Sequence, residues 1–546
     1  MQIMNSRIDP HSYTNEKHWG QQIAEEVIRQ FPDEEIYTCA AGISPSGTVH
    51  FGNFRDVVTA LVVSKELARM GKKTRVIFSW DDFDRMRKVP SNVAETFAEN
   101  IGKPLAQVPD PEAETESYAR HFEIPFEKAM KELSIDLEYR YQSKEYSQGT
   151  YTESIKEALE KRKEIATILL SFMTEKGKEE KGIIPETYIE NYYPISVYSR
   201  FSGKDTTKII SYDGAYNITY TCFDTNQEDT IDIRTAGLVK LQWKVDWPMR
   251  WRHENVVFEP GGHDHASPGS SYDIATVVAP KIFNRKPPVF AEYKFVGIQG
   301  LGAKMSGSKG NAVSPLQLLE IYEPEVLKWL YMKKTPAQAF TLAFDSEIYR
   351  QYEEFDKEVV LYQQGVLDAF SMRALELALS DKNIMEIVTP IPFRQAVALG
   401  QIVQWDKVKL SELLSRTDVN FSEDSLHSRM TRGQKWLLNY NPGEMIVVCE
   451  EKNTAYWDTM SAESQEHVRQ LAHYLREEIT SLESLEQKVY ALPKQENLDQ
   501  KENAKLQRAF FKDVYNLLIS ADTGPRLSTF IWALGTEKVR NLLEIE

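Results

Sequence analysis

The chain has 546 residues, too many for one hydrophobic core, so about two to four domains are expected. Its 65 basic and 81 acidic side chains leave a net charge of −16, which excludes a protein that coats nucleic acid indiscriminately and confines any such contact to local basic surfaces. Three scattered cysteines, Cys39, Cys222 and Cys449, exclude a disulfide framework, and no apolar run approaches the roughly 18 residues needed to cross a bilayer; with no charged-then-apolar leader pattern, a soluble cytoplasmic protein is expected.

In chain order, an apolar run from Ile36 to Ile43 predicts a strand, and a helical pattern from Phe54 to Met70, closed by Gly71, predicts a helix. Between them lies Pro45-Ser46-Gly47-Thr48-Val49-His50-Phe51-Gly52-Asn53, and Arg75 to Trp80 reads as the next strand. A helix N-terminus beside glycines offers free N–H groups and a positive dipole end, and His50 and Asn53, three apart, share a face; the geometry suits a polyphosphate. Pro104 to Pro111 reads as a loop ending the first α/β unit, and Glu- and Lys-rich helices follow from Ser117 to Lys181. Residues Ile183 to Asp232, rich in Tyr, Thr and Ile with a turn at Asp213-Gly214, predict a small antiparallel β element. Strand-like runs return at Asn255 to Phe258 and Val289 to Ile298, so the nucleotide fold is split in sequence. After Asn311, amphipathic helices broken by Pro324, Pro336, Pro390 to Pro392, Asn441-Pro442-Gly443 and Pro493 run almost to the C-terminus, with no solenoid repeat.

Three further segments carry chemistry. Lys304-Met305-Ser306-Gly307-Ser308-Lys309-Gly310-Asn311 supplies cations on a glycine-hinged loop able to close over a triphosphate. Either loop alone reads more readily as a surface turn; together, at the two ends of a split α/β domain, they point to carboxylate activation by ATP. Attack on an α-phosphate needs positioned donors and cations more than a nucleophile, which suits His50, Asn53, Lys304 and Lys309. Glu259-Pro260-Gly261-Gly262-His263-Asp264-His265 follows a strand, where ligands of open α/β sheets bind; Asp264 is assigned to a ribose hydroxyl and His265 to the substrate in preference to a metal. The tract Leu241 to Trp251 spaces Trp243, Trp247 and Trp251 by four, a core stripe that also serves as the wall of a pocket for a cation. Basic surfaces are read at Arg85, Arg87 and Lys88, at Lys240, Lys244, Arg250 and Arg252, and at Lys505, Arg508 and Lys512, each with a solvated face as the alternative.

Over essentially its whole length the sequence resembles the class I lysyl-tRNA synthetases. His50-Phe51-Gly52-Asn53 is similar to the "HIGH" signature and Lys304-Met305-Ser306-Gly307-Ser308 to "KMSKS". The tract from Trp243 to Trp251 carries the more specific likeness, supported by Asp81-Asp82-Phe83-Asp84, Arg87-Lys88-Val89-Pro90 and Pro109-Asp110-Pro111. The resemblance implies an α/β Rossmann-type catalytic domain in two halves (1–110 and 236–311), an inserted α+β connective domain (111–235), a stem-contact segment (312–355) and an all-helical anticodon-binding domain (356–546). It implies that ATP is held by Pro45, Ser46, Gly47, His50, Gly52, Asn53, Gly262, Asp264, Lys304, Met305, Ser306 and Ser308. Lysine would meet Gly42, Ser44, Trp243, His265 and Tyr293, with Asp81, Asp82 or Asp84 as candidate partners of its ammonium.

Two departures stand out. Gly307 replaces the lysine at the fourth position of the second signature, shifting the second cation to Lys309. Family members can carry a zinc knuckle in the inserted β element, whereas Tyr198 to Ser202 and Tyr220 to Asn226 here hold only Cys222 as a ligand, so no structural zinc is expected. The implied reaction is ATP- and Mg²⁺-dependent joining of L-lysine to tRNA(Lys), by a monomer without DNA or membrane partners. The nucleotide motifs alone leave rivals: a synthetase for glutamate, cysteine or arginine, an idle tRNA-binding protein that kept the fold, or a small-molecule nucleotidyltransferase. Lys505, Arg508 and Lys512 are the anticodon-contact candidates.

Overall fold

A computed structural model describes residues 6–89, 93–300, 312–380, 382–388, 390–414, 422–477, 479 and 481–545. The chain divides into two compact units, Met1–Ala343 with Glu358–Met385, and Phe344–Lys357 with Glu386–Glu546; the division falls within the helix Glu347–Gln363.

The first unit is built on a parallel five-stranded sheet of β1 (Tyr37–Ile43), β2 (Thr74–Trp80), β3 (Glu138–Tyr141), β4 (Val256–Gly262) and β5 (Val289–Tyr293), in the spatial order β5-β4-β1-β2-β3. The chain therefore moves outward from β1 through β2 to β3, then returns to β1's other side for β4 and β5. Strand order reverses between β1 and β4, and that reversal opens a crevice at their C-terminal ends. Near-continuous burial along β1 fits a sheet covered on both faces. Helix α1 (Phe51–Arg69) packs on β1, β2 and β4. Ala40, Ile77, Val256 and Phe290 pack with Trp247 and Trp251 of α2 (Trp243–His253) and with Tyr272, Ala275 and Ala279 of α4 (Ser271–Ile282), which follows the one-turn helix α3 (His263–Ala266).

The sheet takes its edge strand β3 from within the stretch 111–235 that the sequence reading gives to the insertion, because Ile77 to Trp80 pair in parallel with Glu138 to Tyr141. The β element forms as expected in type but starts later: helices Glu175–Glu180 and Pro185–Asn191 precede the antiparallel strands Thr207–Tyr212, Asn217–Cys222 and Gln227–Asp232, with Gly214 at φ +80° in the turn. The run Val289 to Ile298 is two strands, and the second, Val296–Gln299, leaves the main sheet to pair with Phe340–Ala343.

The described residues of the second unit are helical around a core that includes Leu399, Trp457, Leu471, Phe510, Leu518 and Phe530. Buried Arg429 bonds both carboxylate oxygens of Asp356 at 2.6 Å and the Ile391 carbonyl at 2.7 Å, which satisfies a charge that would otherwise oppose folding. Among the described residues no helix is long and apolar enough to cross a membrane.

Candidate active site

The loop after β1 and the start of α1 form one side of the crevice. His50 is the N-cap of α1: its Nδ1 accepts from the Gly52 N–H at 3.0 Å, while Asn53 Oδ1 accepts from the His50 N–H at 3.1 Å. A ring nitrogen that accepts carries no proton, so the neutral imidazole holds its proton on Nε2. Burial lowers the His50 pKa and favours this neutral form. Tyr118 donates to the Ser46 carbonyl at 3.1 Å, fixing the loop, and the Phe51 N–H donates to the Val313 carbonyl at 3.0 Å, just past the second signature. Pro45 is buried; Ser44, Ser46 and Gly47 are partly or fully open. Lys304, Met305, Ser306, Ser308 and Lys309 lie outside the described residues.

The other side comes from β4, α3 and β5. Gly262 ends β4 beside Tyr293 of β5, with which it is in register, and Asp264 and His265 follow on α3. A Cβ on Gly262 would lie 3.6 Å from Asp264 Oδ1 and 3.8 Å from the Tyr293 hydroxyl, so these groups crowd one spot. His263 turns away to Glu292 at 2.8 Å; the two histidines flanking Asp264 do not converge on a metal. Among the described residues, no group of three or more His, Cys, Asp or Glu is arranged to hold a metal. In the β element, Cys222 lies beside Ser202, with 3.6 Å between Sγ and Oγ.

Between the two sides lies a small cavity lined by Gly42, Ser79, Asp81, Trp243, Trp247, Trp251, Arg250 and Glu259 among others. Trp243 and Trp247 stack at 5.0 Å, and the His265 ring stands 6.2 and 5.7 Å from them. Gly42 must be glycine here, because a Cβ would sit 2.8 Å from the Ser79 carbonyl oxygen. The geometry thus brings together Gly42, Trp243, His265 and Tyr293, with Ser44 immediately after β1.

The electrostatics of this cavity depart from the sequence reading. Asp81 bonds Arg250 at 2.8 Å; Asp82 accepts from the Ser143 N–H at 2.7 Å and from its hydroxyl; Asp84 pairs with Lys240. All three candidate ammonium partners are engaged. Lys240 and Arg250, expected on a basic surface, are buried in these ion pairs, Arg250 also holding Asp246 at 2.7 Å; Arg85 pairs with Asp205 and Arg252 with Glu157. A cation in a tract of apolar residues reads locally as solvated, whereas Asp81, Asp84, Asp205 and Glu157 meet these cations from elsewhere in the chain.

Two other carboxylates, Asp56 and Glu259, have no ion pair among the described residues, and sequence reasoning missed both. Asp56 is buried, accepts from the Gly42 N–H at 3.2 Å and hydrogen-bonds Tyr293; burial first, and the charge of Glu259 second, push its pKa well above the carboxylate range. Glu259 accepts from the Trp251 indole at 2.6 Å, yet burial still raises it to about 7. The available signal was spacing: Asp56 lies three residues beyond Asn53, one turn further along α1. Two aspartates, Asp81 and Asp246, share the guanidinium of Arg250.

The sequence profile of a family described as tRNA synthetases class I (K) matches residues 17–387. A lysine–tRNA ligase of Borreliella burgdorferi is 33% identical over 536 residues, covering 96% of this chain and 98% of its own. One from Thermococcus kodakarensis is 34% identical over 542 residues, covering 97% and 99%. One from Treponema pallidum is 33% identical over 546 residues, covering 97% and 98%. With the ATP-type loop, the reversal crevice and an acidic aromatic cavity in one unit, the chain belongs to the class I (K) family of aminoacyl-tRNA synthetases.

Proposed function

We propose that the chain is a lysine–tRNA ligase: it activates L-lysine with ATP to lysyl-adenylate, then transfers lysine to the 3′-terminal adenosine of tRNA(Lys), releasing AMP and pyrophosphate. The observation that carries the substrate is the pair of carboxylates, Asp56 and Glu259, beside a cavity walled by Trp243 and Trp247. Lysine brings two ammonium groups and an apolar stem. The carboxylates suit the first and the rings the second. Gly42, Ser44, Trp243, His265 and Tyr293 complete the lysine site in this reading.

In the first step the lysine carboxylate attacks the α-phosphorus in line, one P–O bond forming as the bond to pyrophosphate breaks. His50 donates from Nε2 to a phosphoryl oxygen, Asn53 and the α1 N-terminus add donors, and Lys304 and Lys309 neutralise charge on the leaving group. Asp264 takes the ribose; Pro45, Ser46, Gly47, Gly52, Gly262, Met305, Ser306 and Ser308 shape the rest of the ATP site. Bound with ATP, Mg²⁺ would supply further neutralisation of charge on the leaving pyrophosphate beside Lys304 and Lys309. In the second step a terminal ribose hydroxyl of tRNA attacks the lysyl carbonyl and AMP leaves, with no covalent enzyme intermediate.

The domain assignment follows the same reading, with the catalytic sheet also taking β3 from the stretch 111–235: catalytic halves at 1–110 and 236–311, the connective insertion in the rest of 111–235, stem contact at 312–355 and anticodon recognition at 356–546, in a cytoplasmic monomer without structural zinc. Lys505, Arg508 and Lys512 are exposed along one helix, α5 (Gln500–Ile519), and Lys512 is paired with Asp522 at 2.8 Å. The deciding experiment is aminoacylation of total tRNA with each of the twenty labelled amino acids. Charging by lysine alone supports the assignment; charging by another amino acid removes lysine as substrate, and tight tRNA binding without charging removes the enzymatic reading.

A further inference from the structure

Helix α3 has four residues, too few to hold itself together, yet it carries both Asp264 and His265. Something outside it must set its position. The segment at Ser6–Ile8 runs parallel along the free edge of β5: the Phe290 N–H donates to the Ser6 carbonyl and the Ile8 N–H to the Phe290 carbonyl, both at 2.8 Å. This pairing brings Arg7 to within 5.0 Å of the Tyr272 ring centre and 5.9 Å of that of Phe290. Ser6 Oγ and the Tyr272 hydroxyl lie 2.6 Å apart.

From there the Arg7 guanidinium reaches two acceptors at 2.5 Å each, the Ala266 carbonyl that ends α3 and Asp273 Oδ1 on α4. The other Asp273 oxygen accepts from the Gly269 N–H at 2.8 Å. One planar fork thus ties both ends of the Ala266–Gly269 turn, and Ser270 Oγ adds a bond of 2.5 Å to the His265 carbonyl. No part of this network touches the cavity itself.

We propose that Arg7 is a positioning residue for both substrates: through Ala266 and Asp273 it fixes the turn that aims Asp264 and His265 into the crevice. The proposal rests on the reading that this turn meets ATP and the amino acid. Sub-ångström placement of such groups matters more than their mere presence, so loss of the fork is felt as substrate affinity.

The test is steady-state aminoacylation by the full chain, with KM for ATP and for lysine measured separately from kcat, alongside thermal unfolding. Arg7→Ala is expected to raise both KM values and lower kcat/KM by about 10- to 100-fold through misplacement alone. Arg7→Lys, with one point charge for two acceptors, recovers part of the loss. Asp273→Asn, which keeps an acceptor for Gly269 but drops the charge, should reproduce the KM effect if Arg7→Ala does not fold. Unchanged KM values in both Arg7→Ala and Asp273→Asn would overturn the proposal. So would a fall in kcat at constant KM with a lowered unfolding midpoint, the signature of a merely structural strut. Wild-type charging with an amino acid other than lysine would remove the lysine reading instead, while the ATP KM comparison would still decide the role of Arg7.

Discussion

Glu259 works against the empty fold and for the bound one. Its folded pKa of about 7 lies above the ordinary carboxylate value, so the folded state holds its proton longer than the unfolded chain does. The sign follows: the group opposes folding progressively as pH rises from the ordinary value to about 7, and not at all below it. Glu259→Gln is therefore expected to stabilise the substrate-free protein at pH 8, by at most about 3 kcal/mol, and to leave it unchanged at pH 4. Urea unfolding at the two pH values checks this. The same variant should weaken lysine binding, and wild-type lysine affinity should fall as pH drops below about 7, up to tenfold per unit, a slope that Glu259→Gln flattens in calorimetric titration. At His50 the helix cap and the proposed catalytic role can be separated. His50→Asn keeps a side-chain acceptor for the helix N-terminus but removes the Nε2 donor, so lysine binding and thermal stability should hold while adenylate formation slows about 100-fold or more. Stopped-flow or quench measurement of a single turnover distinguishes that loss from damage to the fold.

At the scale of elements, the first unit uses histidine twice as an N-cap. His18 caps the helix Trp19–Gln30 by accepting from the Gly20 N–H at 3.2 Å, and its Nε2 lies 3.0 Å from the Met332 carbonyl. Burial lowers its pKa to about 4, against a weaker pull upward from that carbonyl bond. A base with a depressed folded pKa contributes stability that is complete above its unfolded value and lost as pH falls toward about 4. The loss is expected to reach up to about 3 kcal/mol, and His18→Asn, a cap that does not titrate, should abolish it in unfolding curves taken at pH 7.5 and 5. The strand, loop, helix and strand from Tyr37 to Trp80 were legible because each is set locally: apolar runs of strand length, a capped start, and Gly71 at φ +81° as the stop. The split of Val289 to Gln299 between two sheets was not, since both pieces are equally apolar and only their partners differ.

At the scale of the whole molecule, a net charge of −16 means that tRNA must be held against a repulsive field by a minority of the surface. Affinity for tRNA is expected to fall log-linearly with salt. Lys505→Ala and Arg508→Ala should each reduce the slope by about 1 if they meet phosphates, and leave it unchanged if they are only solvated. Lys512→Ala should do less, because Asp522 already neutralises part of that charge. Filter binding across a salt series reads all three.

Sequence by itself determined the α/β class, the interruption of the nucleotide fold, the helical C-terminal third and the family likeness, because periodicity, capping and turn chemistry act over a few residues. Gly42, Trp243, His265 and Tyr293 were nameable one by one through the family resemblance, by their positions in its motifs. Tertiary structure alone decided the charge partners. Asp56 meets Tyr293 only because β5 returns to the β4 side of the sheet, Arg250 is held in the interior by Asp81 across from it as well as by Asp246 of its own helix, and Arg7 reaches Ala266 only because Ser6–Ile8 lies along β5. A buried charge is defined by what faces it, and in a parallel sheet with a reversal point the facing groups come from strands far apart in the chain.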